Sequence, residues 1–257
     1  MRKLILAYIK FLLRSTNQHG VHSPFIYDLV TKCFYDKTNY TAYDKIITYK
    51  NKLLKNQTKI NVTDLGAGSH IIKTNERIVA KMAKNAGSTK SRAKLLYRLI
   101  QYLQPKQILE LGTSMGIATY SMHLGNKNAH ITSIEGCPNI STFTTKNLKH
   151  NGVNNVEIKT GDFKDVLDDL NQNQYDLIYF DGNHQKQATI DYFETMLPTA
   201  HNDTVFIFDD IYWSKGMTEA WETIKNHPQV TVSIDTFFWG FVFFRKEQKK
   251  EHFTIRI

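Results

Sequence analysis

The sequence has almost no cysteine: Cys33 and Cys137 stand far apart and form no CxxC pair. That excludes a disulfide framework and a thiolate zinc site, and it fits a reducing cytoplasm. Long apolar runs are also missing. The stretch from Leu4 to Ile9 is broken by Lys10 after six residues, and no small-residue cleavage site follows. It is too short for a signal peptide or a membrane span, so Met1–Arg14 reads as an amphipathic helix. Such a helix could dock on the protein's own core, on a second copy in a homodimer, or on a membrane surface. Internal repeats, low-complexity segments and RRM- or KH-type signatures are absent as well.

What is present suffices for a packed core. The chain has 257 residues, 41% of them hydrophobic and 12% aromatic, which is incompatible with wholesale disorder. Its net charge of +9 is unevenly spread. Residues 1–106 carry 20 lysines and arginines against 5 acids, while residues 107–257 carry 13 against 19. A basic first part and an acidic second part suggest two jobs. The basic part could attract RNA, a phosphorylated or CoA-linked substrate, or anionic lipid.

Residues 1–106 read as a helical, basic N-terminal extension. Ser23 and Pro24 are placed to start a helix as N-cap and first helical residue. Further helices are expected near 43–54, over 75–85 with Asn75 as cap, and over 88–104 with Ser88 as cap. The glycine cluster Asp64-Leu65-Gly66-Ala67-Gly68-Ser69 reads as a turn that could form part of a lid or a substrate wall. Residues 107–257 change rhythm. Strand candidates at 107–111, 130–135, 156–160, 175–181, 204–209, 230–235 and 239–245 alternate with helices at 116–124, 139–150, 163–170, 185–197 and 214–225. This is an α/β pattern with a mostly parallel sheet. Only Thr236–Phe238 separates the last two strands, so they form an antiparallel hairpin.

Ligands of such sheets sit at the carboxyl ends of the strands. Five ends carry acids or glycines: Glu110-Leu111-Gly112, Glu135, Gly161-Asp162, Asp181-Gly182 and Asp209-Asp210. The first runs into the turn Gly112-Thr113-Ser114-Met115-Gly116, where glycines let the backbone bend and approach a ligand. Ser114 and Ile117 break the G-x-G-x-x-G dinucleotide fingerprint. Glu135, 19 residues after Gly116, suits a ribose diol, and Asp162 can accept from an adenine amino group. The carboxylates of Asp181, Asp209 and Asp210 would repel one another unless a cation lay among them, and an oxygen-only set suits Mg²⁺, Mn²⁺ or Ca²⁺. His184 is a candidate base at neutral pH. Trp213 could stack on an acceptor.

The run E-L-G-T-S-M-G, then S-I-E, T-G-D and Y-F-D-G, with the closing hairpin, resembles the class I S-adenosylmethionine-dependent methyltransferases. It looks most like the catechol and caffeoyl-CoA O-methyltransferase group. The resemblance implies a Rossmann-like, seven-stranded, mostly parallel sheet with the last strand inserted antiparallel. It implies that Glu110 and the Gly112–Gly116 turn hold the methionine end of S-adenosylmethionine, Glu135 the ribose, and Asp162 the adenine. It places Asp181 and Asp209-Asp210 at the metal-ligand positions, with Asp210 where the family has Asn, and His184 where the family commonly has a lysine base. The expected function is metal-assisted O-methylation of a small hydroxylated acceptor, with phenols among the candidates. Alternatives are a methyltransferase of hydroxylated tRNA nucleosides and a non-catalytic cofactor-binding protein.

Overall fold

The computed structural model describes residues 2–63, 75–85 and 87–257. In chain order the helices are α1 (Arg2–Arg14), α2 (Pro24–Leu29), α3 (Thr41–Lys55), α4 (Val79–Asn85), α5 (Lys90–Leu103), α6 (Ile117–Gly125), α7 (Pro138–His150), α8 (Phe163–Leu170), α9 (Lys186–Met196) and α10 (Lys215–Lys225). The strands are β1 (Lys59–Asn61), β2 (Glu76–Ile78), β3 (Gln107–Leu111), β4 (His130–Glu135), β5 (Val156–Thr160), β6 (Tyr175–Phe180), β7 (Ala200–Asp209), β8 (Val232–Asp235), β9 (Trp239–Phe243) and β10 (Glu251–Thr254). They fall into two compact units, one of Met1–Tyr35 with Leu167–Ile257 and one of Asp36–Val166.

In the unit Asp36–Val166, β3, β4 and β5 pair in parallel. β3 and β4 are buried along most of their length, β3 through Ile108, Leu109 and Leu111 and β4 through Ile131 and Ile134 with the hydroxyls of Thr132 and Ser133 between them, as in a parallel sheet covered on both faces. Tyr49 and Leu53 of α3, Met82 of α4, Tyr97 of α5, Ile117 and Tyr120 of α6 and Leu148 of α7 share one core. The first helices differ in detail from expectation. Thr89, not Ser88, caps α5, its side chain accepting from the Arg92 N–H. The 75–85 segment begins as β2, paired antiparallel with β1, and turns helical only at Val79. Asp64–Ser69 lies outside the described residues.

In the other unit the strand order is β6-β7-β9-β8-β10. β9 alone runs against its neighbours β7 and β8. Its reversal follows from the three-residue connection. The Phe237 N–H donates to Asp235 Oδ1 at 2.8 Å, and Phe237 takes a left-handed φ of 73°. Gly240 lies under Trp221, where an added Cβ would come within 2.5 Å of the ring. β10 pairs in parallel with β8. Counted with β3–β5, the mostly parallel strands are eight, one more than the seven expected. The extra one is β10, in a charged tail where Phe253 is among the few buried residues.

The first 35 residues cover this second group of strands. Ser23 caps α2 by accepting from the Ile26 N–H at 3.4 Å, with Pro24 at the first helical position. The helix continues through a π-helical turn over Val30–Phe34. Phe25 meets Phe243 and Phe34 meets Phe241, with ring centroids 5.2 and 5.3 Å apart. Thr16 bridges the β10 edge, donating to Thr254 O at 2.8 Å and accepting from the Arg256 N–H at 3.1 Å. Covering an edge in this way removes a template for unwanted pairing.

Candidate active site

Glu110 is an acid inside an otherwise apolar strand, and it is completely buried. Thr119 and Ser133 donate hydroxyl hydrogen bonds to its Oε2 at 2.6 and 2.5 Å. Its Oε1 has no hydrogen-bond partner among the described residues. Burial raises the Glu110 pKa to about 7; the two hydroxyls pull it down, and the charge of Glu135 pushes it further up.

The turn after β3 passes through left-handed backbone at Gly112 (φ 106°), Ser114 (φ 47°) and Gly116 (φ 70°). A Cβ on Gly116 would lie 2.8 Å from Thr144 Cγ2, so both backbone and space demand glycine. The turn is held from several sides. The Gly112 and Thr113 N–H groups donate to Ile134 O at 3.0 and 3.1 Å. The Thr144 hydroxyl donates to Ser114 O at 2.7 Å, and the Tyr49 hydroxyl to Met115 O at 3.0 Å. Tyr49 stacks on Tyr120 with centroids 4.5 Å apart, and burial raises its phenol pKa.

Glu135 is fixed between this turn and the start of α7. Its Oε2 accepts from the Ser114 N–H and its Oε1 from the Cys137 N–H, both at 2.9 Å. A carboxylate oxygen takes more than one donor, so a ribose diol remains compatible with this arrangement. The Gly161 N–H donates to Glu135 O at 3.1 Å, which brings the end of β5 alongside. Asp162 opens α8, its Oδ1 accepting from the Lys164 N–H at 2.9 Å. Glu110, Gly112, Thr113, Ser114, Gly116, Glu135 and Gly161 thus form one hydrogen-bonded cradle, with Asp162 adjoining it. Tyr49, Thr119, Ser133 and Thr144 complete it and were not singled out from the sequence. Ser133 had no clear signal, because its strand reads His-Ile-Thr-Ser-Ile-Glu. Tyr49 had none.

The other strand ends belong to the unit Met1–Tyr35 with Leu167–Ile257. Asp181 follows β6, and its Oδ1 lies 3.9 Å from His184 Nε2. Asn183 between them has a left-handed φ of 49° and donates to the Tyr192 hydroxyl at 2.9 Å. Asp209 is buried at the end of β7, and its Oδ1 accepts from the Asp210 N–H at 2.9 Å. Asp210 sits in a left-handed turn at φ 54°. The Trp213 N–H donates to Asp210 O at 2.8 Å, and the Trp213 side chain is half-exposed.

Among the described residues, no group of three or more His, Cys, Asp or Glu side chains is arranged to hold a metal ion. Asp209 is buried with one oxygen engaged by the Asp210 N–H, and Asp210 leaves the strand through a left-handed turn. The cradle, by contrast, fits S-adenosylmethionine. The buried, unpartnered Oε1 of Glu110 is suited to an ammonium donor, and the glycine turn allows close backbone approach.

A parallel strand–helix alternation, a single reversed strand beside β7, and a glycine turn flanked by two acids are the features that the resemblance to class I S-adenosylmethionine-dependent methyltransferases implies. Comparison with known proteins agrees. Residues 109–211 match the family described as a methyltransferase domain. A catechol O-methyltransferase of Niastella koreensis is 30% identical over 126 residues, covering 47% of this chain and 56% of that protein. The chain therefore spans little more than half the length of this curated relative. Among solved structures, an O-methyltransferase from Bacillus cereus in complex with SAH has a TM-score of 0.57 at 18% identity, covering 83% of this chain and 95% of that one. The O-methyltransferase TomG from Streptomyces achromogenes, in complex with SAM, has a TM-score of 0.58 at 16% identity, covering 81% and 91%. Residues 109–211 are thus similar to a methyltransferase domain, and the solved structures share the fold.

Proposed function

We propose that this chain transfers a methyl group from S-adenosylmethionine to a hydroxyl oxygen of a small acceptor. The observation that carries the reading is the Glu110 carboxyl: fully buried, hydrogen-bonded through one oxygen and unpartnered at the other, two residues before the Gly112–Gly116 turn. Glu110 binds the cofactor's ammonium, Glu135 its ribose hydroxyls, and Asp162 its adenine amino group. When bound, S-adenosylmethionine supplies a sulfonium methyl open to in-line attack. His184 takes the acceptor's hydroxyl proton on a ring nitrogen, with Asp181 Oδ1 3.9 Å from its Nε2. The half-exposed ring of Trp213 offers a stacking face for a phenolic acceptor. The setting we assign is the cytoplasm, because Cys33 and Cys137 are both buried free thiols. No observation favours the tRNA-nucleoside or the non-catalytic reading.

The test is release of S-adenosylhomocysteine from a panel of phenols and diols, by the parent protein and by His184→Ala. The expected result is turnover of at least one acceptor, cut by about 10²–10⁴-fold in the variant with cofactor affinity unchanged. Failure of well-folded protein to bind S-adenosylmethionine in a titration overturns the reading. Binding without turnover on any hydroxyl acceptor overturns the O-methylation part of it.

A further inference from the structure

α1 shows the solvent a face that soluble surfaces rarely carry. Ile5, Ile9, Leu12 and Leu13, spaced i, i+4, i+7 and i+8, lie along one side of the helix. Ile5 is 54% and Leu13 83% exposed, while Phe11 on the other side is 2% exposed. Leu4, Leu6 and Tyr8 extend the exposed apolar surface. The opposite edge is anchored within its own unit. Tyr8 and Phe11 pack on Phe237, with centroids 4.8 and 5.5 Å away. Arg14 pairs with Asp235 at 2.9 Å and donates to the Tyr212 hydroxyl. The exposed ring of Phe238 stands edge-on to Phe237, 5.1 Å away. The apolar face is therefore presented outward by a helix that the rest of the unit holds in place.

Charge selects the occupant. The sequence of α1, RKLILAYIKFLLR, has no acid and, besides the Asp235-paired Arg14, three basic residues. A two-fold pairing of this face with a second copy would set that charge against itself. An anionic lipid surface neutralises it while taking up the apolar side chains. The helix has 13 residues, a length of about 20 Å that lies in an interface rather than crossing it. No described helix is long and apolar enough to span a membrane. An exposed aromatic beside the helix, as Phe238 is here, suits the headgroup region.

We propose that α1 docks this protein on anionic phospholipid membranes, with the Ile5–Ile9–Leu12–Leu13 face buried in the headgroup boundary and Lys10 at its edge. The inference does not depend on the methyl-transfer reading. The test is co-sedimentation of the full chain with vesicles of phosphatidylcholine alone and of phosphatidylcholine with one third phosphatidylglycerol. The expected result is about tenfold or more protein on the anionic vesicles, declining with added salt. An Ile5→Glu, Leu13→Glu double variant should lose that binding with an unchanged thermal melt, since both positions are exposed. Lys10→Glu should weaken it while leaving the apolar face intact. Equal or absent binding to the two vesicle types overturns the proposal, and so does undiminished binding of the double variant. Light scattering that shows a dimer split to monomers by the double variant also overturns it, and assigns the face to self-association.

Discussion

At the scale of single residues, Glu110 sets the clearest expectation. Its pKa of about 7 stands above the ordinary 4.5, so the folded protein holds this proton more tightly than the unfolded chain. The stability that results is complete below about pH 4.5 and is lost as pH rises through about 7. The full effect is of the order of 3 kcal/mol. Glu110→Gln should therefore flatten the fall in thermal stability of cofactor-free protein between pH 5 and 8. Identical slopes for parent and variant would refute the assignment. The same substitution should weaken S-adenosylmethionine binding about 10–100-fold at pH 8, read by titration calorimetry, because a charged hydrogen bond is lost. Gly116→Ala adds a Cβ in left-handed backbone, 2.8 Å from Thr144 Cγ2. A loss of about 1–3 kcal/mol in denaturant unfolding is expected. A stability equal to the parent's would mean that the turn relaxes freely.

At the scale of elements, the reversed strand β9 and helix α1 depend on a few tight contacts. Gly240 in β9 leaves room for the ring of Trp221, and an added Cβ would sit 2.5 Å from it. Gly240→Ala should cost about 1–3 kcal/mol by overpacking, measured by urea unfolding. A neutral result would show that Trp221 can shift. α1 is tied by Arg14, Tyr212 and Asp235, where the Tyr212 hydroxyl donates to Asp235 Oδ2 at 2.6 Å. Burial and then the Asp235 charge raise the Tyr212 pKa. Tyr212→Phe removes one donor and leaves the Arg14–Asp235 pair. About 1 kcal/mol should be lost, together with faster hydrogen exchange in α1. Unchanged exchange would show that the aromatic contacts with Phe237 hold the helix unaided.

At the scale of the whole molecule, the prediction concerns metal. The acids at the ends of β6 and β7 do not gather into a metal-holding group among the described residues. Cofactor binding through Glu110, Glu135 and Asp162 uses no metal ligand and should proceed unchanged in EDTA. Activity that disappears on chelation and returns with Mg²⁺ would show that the acceptor or a rearrangement completes a ligand set.

Much of the domain was legible in residue order alone because its signals are local. Apolar runs bounded by turn residues marked β3–β9 to within a few residues, the three-residue connection determined the hairpin reversal, and Ser23-Pro24 marked the start of α2. The cradle's acids and glycines were legible for the same reason, since each ends a strand. Three things were decided only by tertiary structure. β10 has too little apolar character to announce itself and exists because β8 offers it a partner. The hydroxyl clamps on the glycine turn come from Tyr49 and Thr144, which lie 66 and 30 residues from the carbonyls they bind, and no spacing rule reaches that far. The placement of the Asp209 and Asp210 carboxylates depends on burial of the one and the left-handed turn of the other, which residue order does not encode.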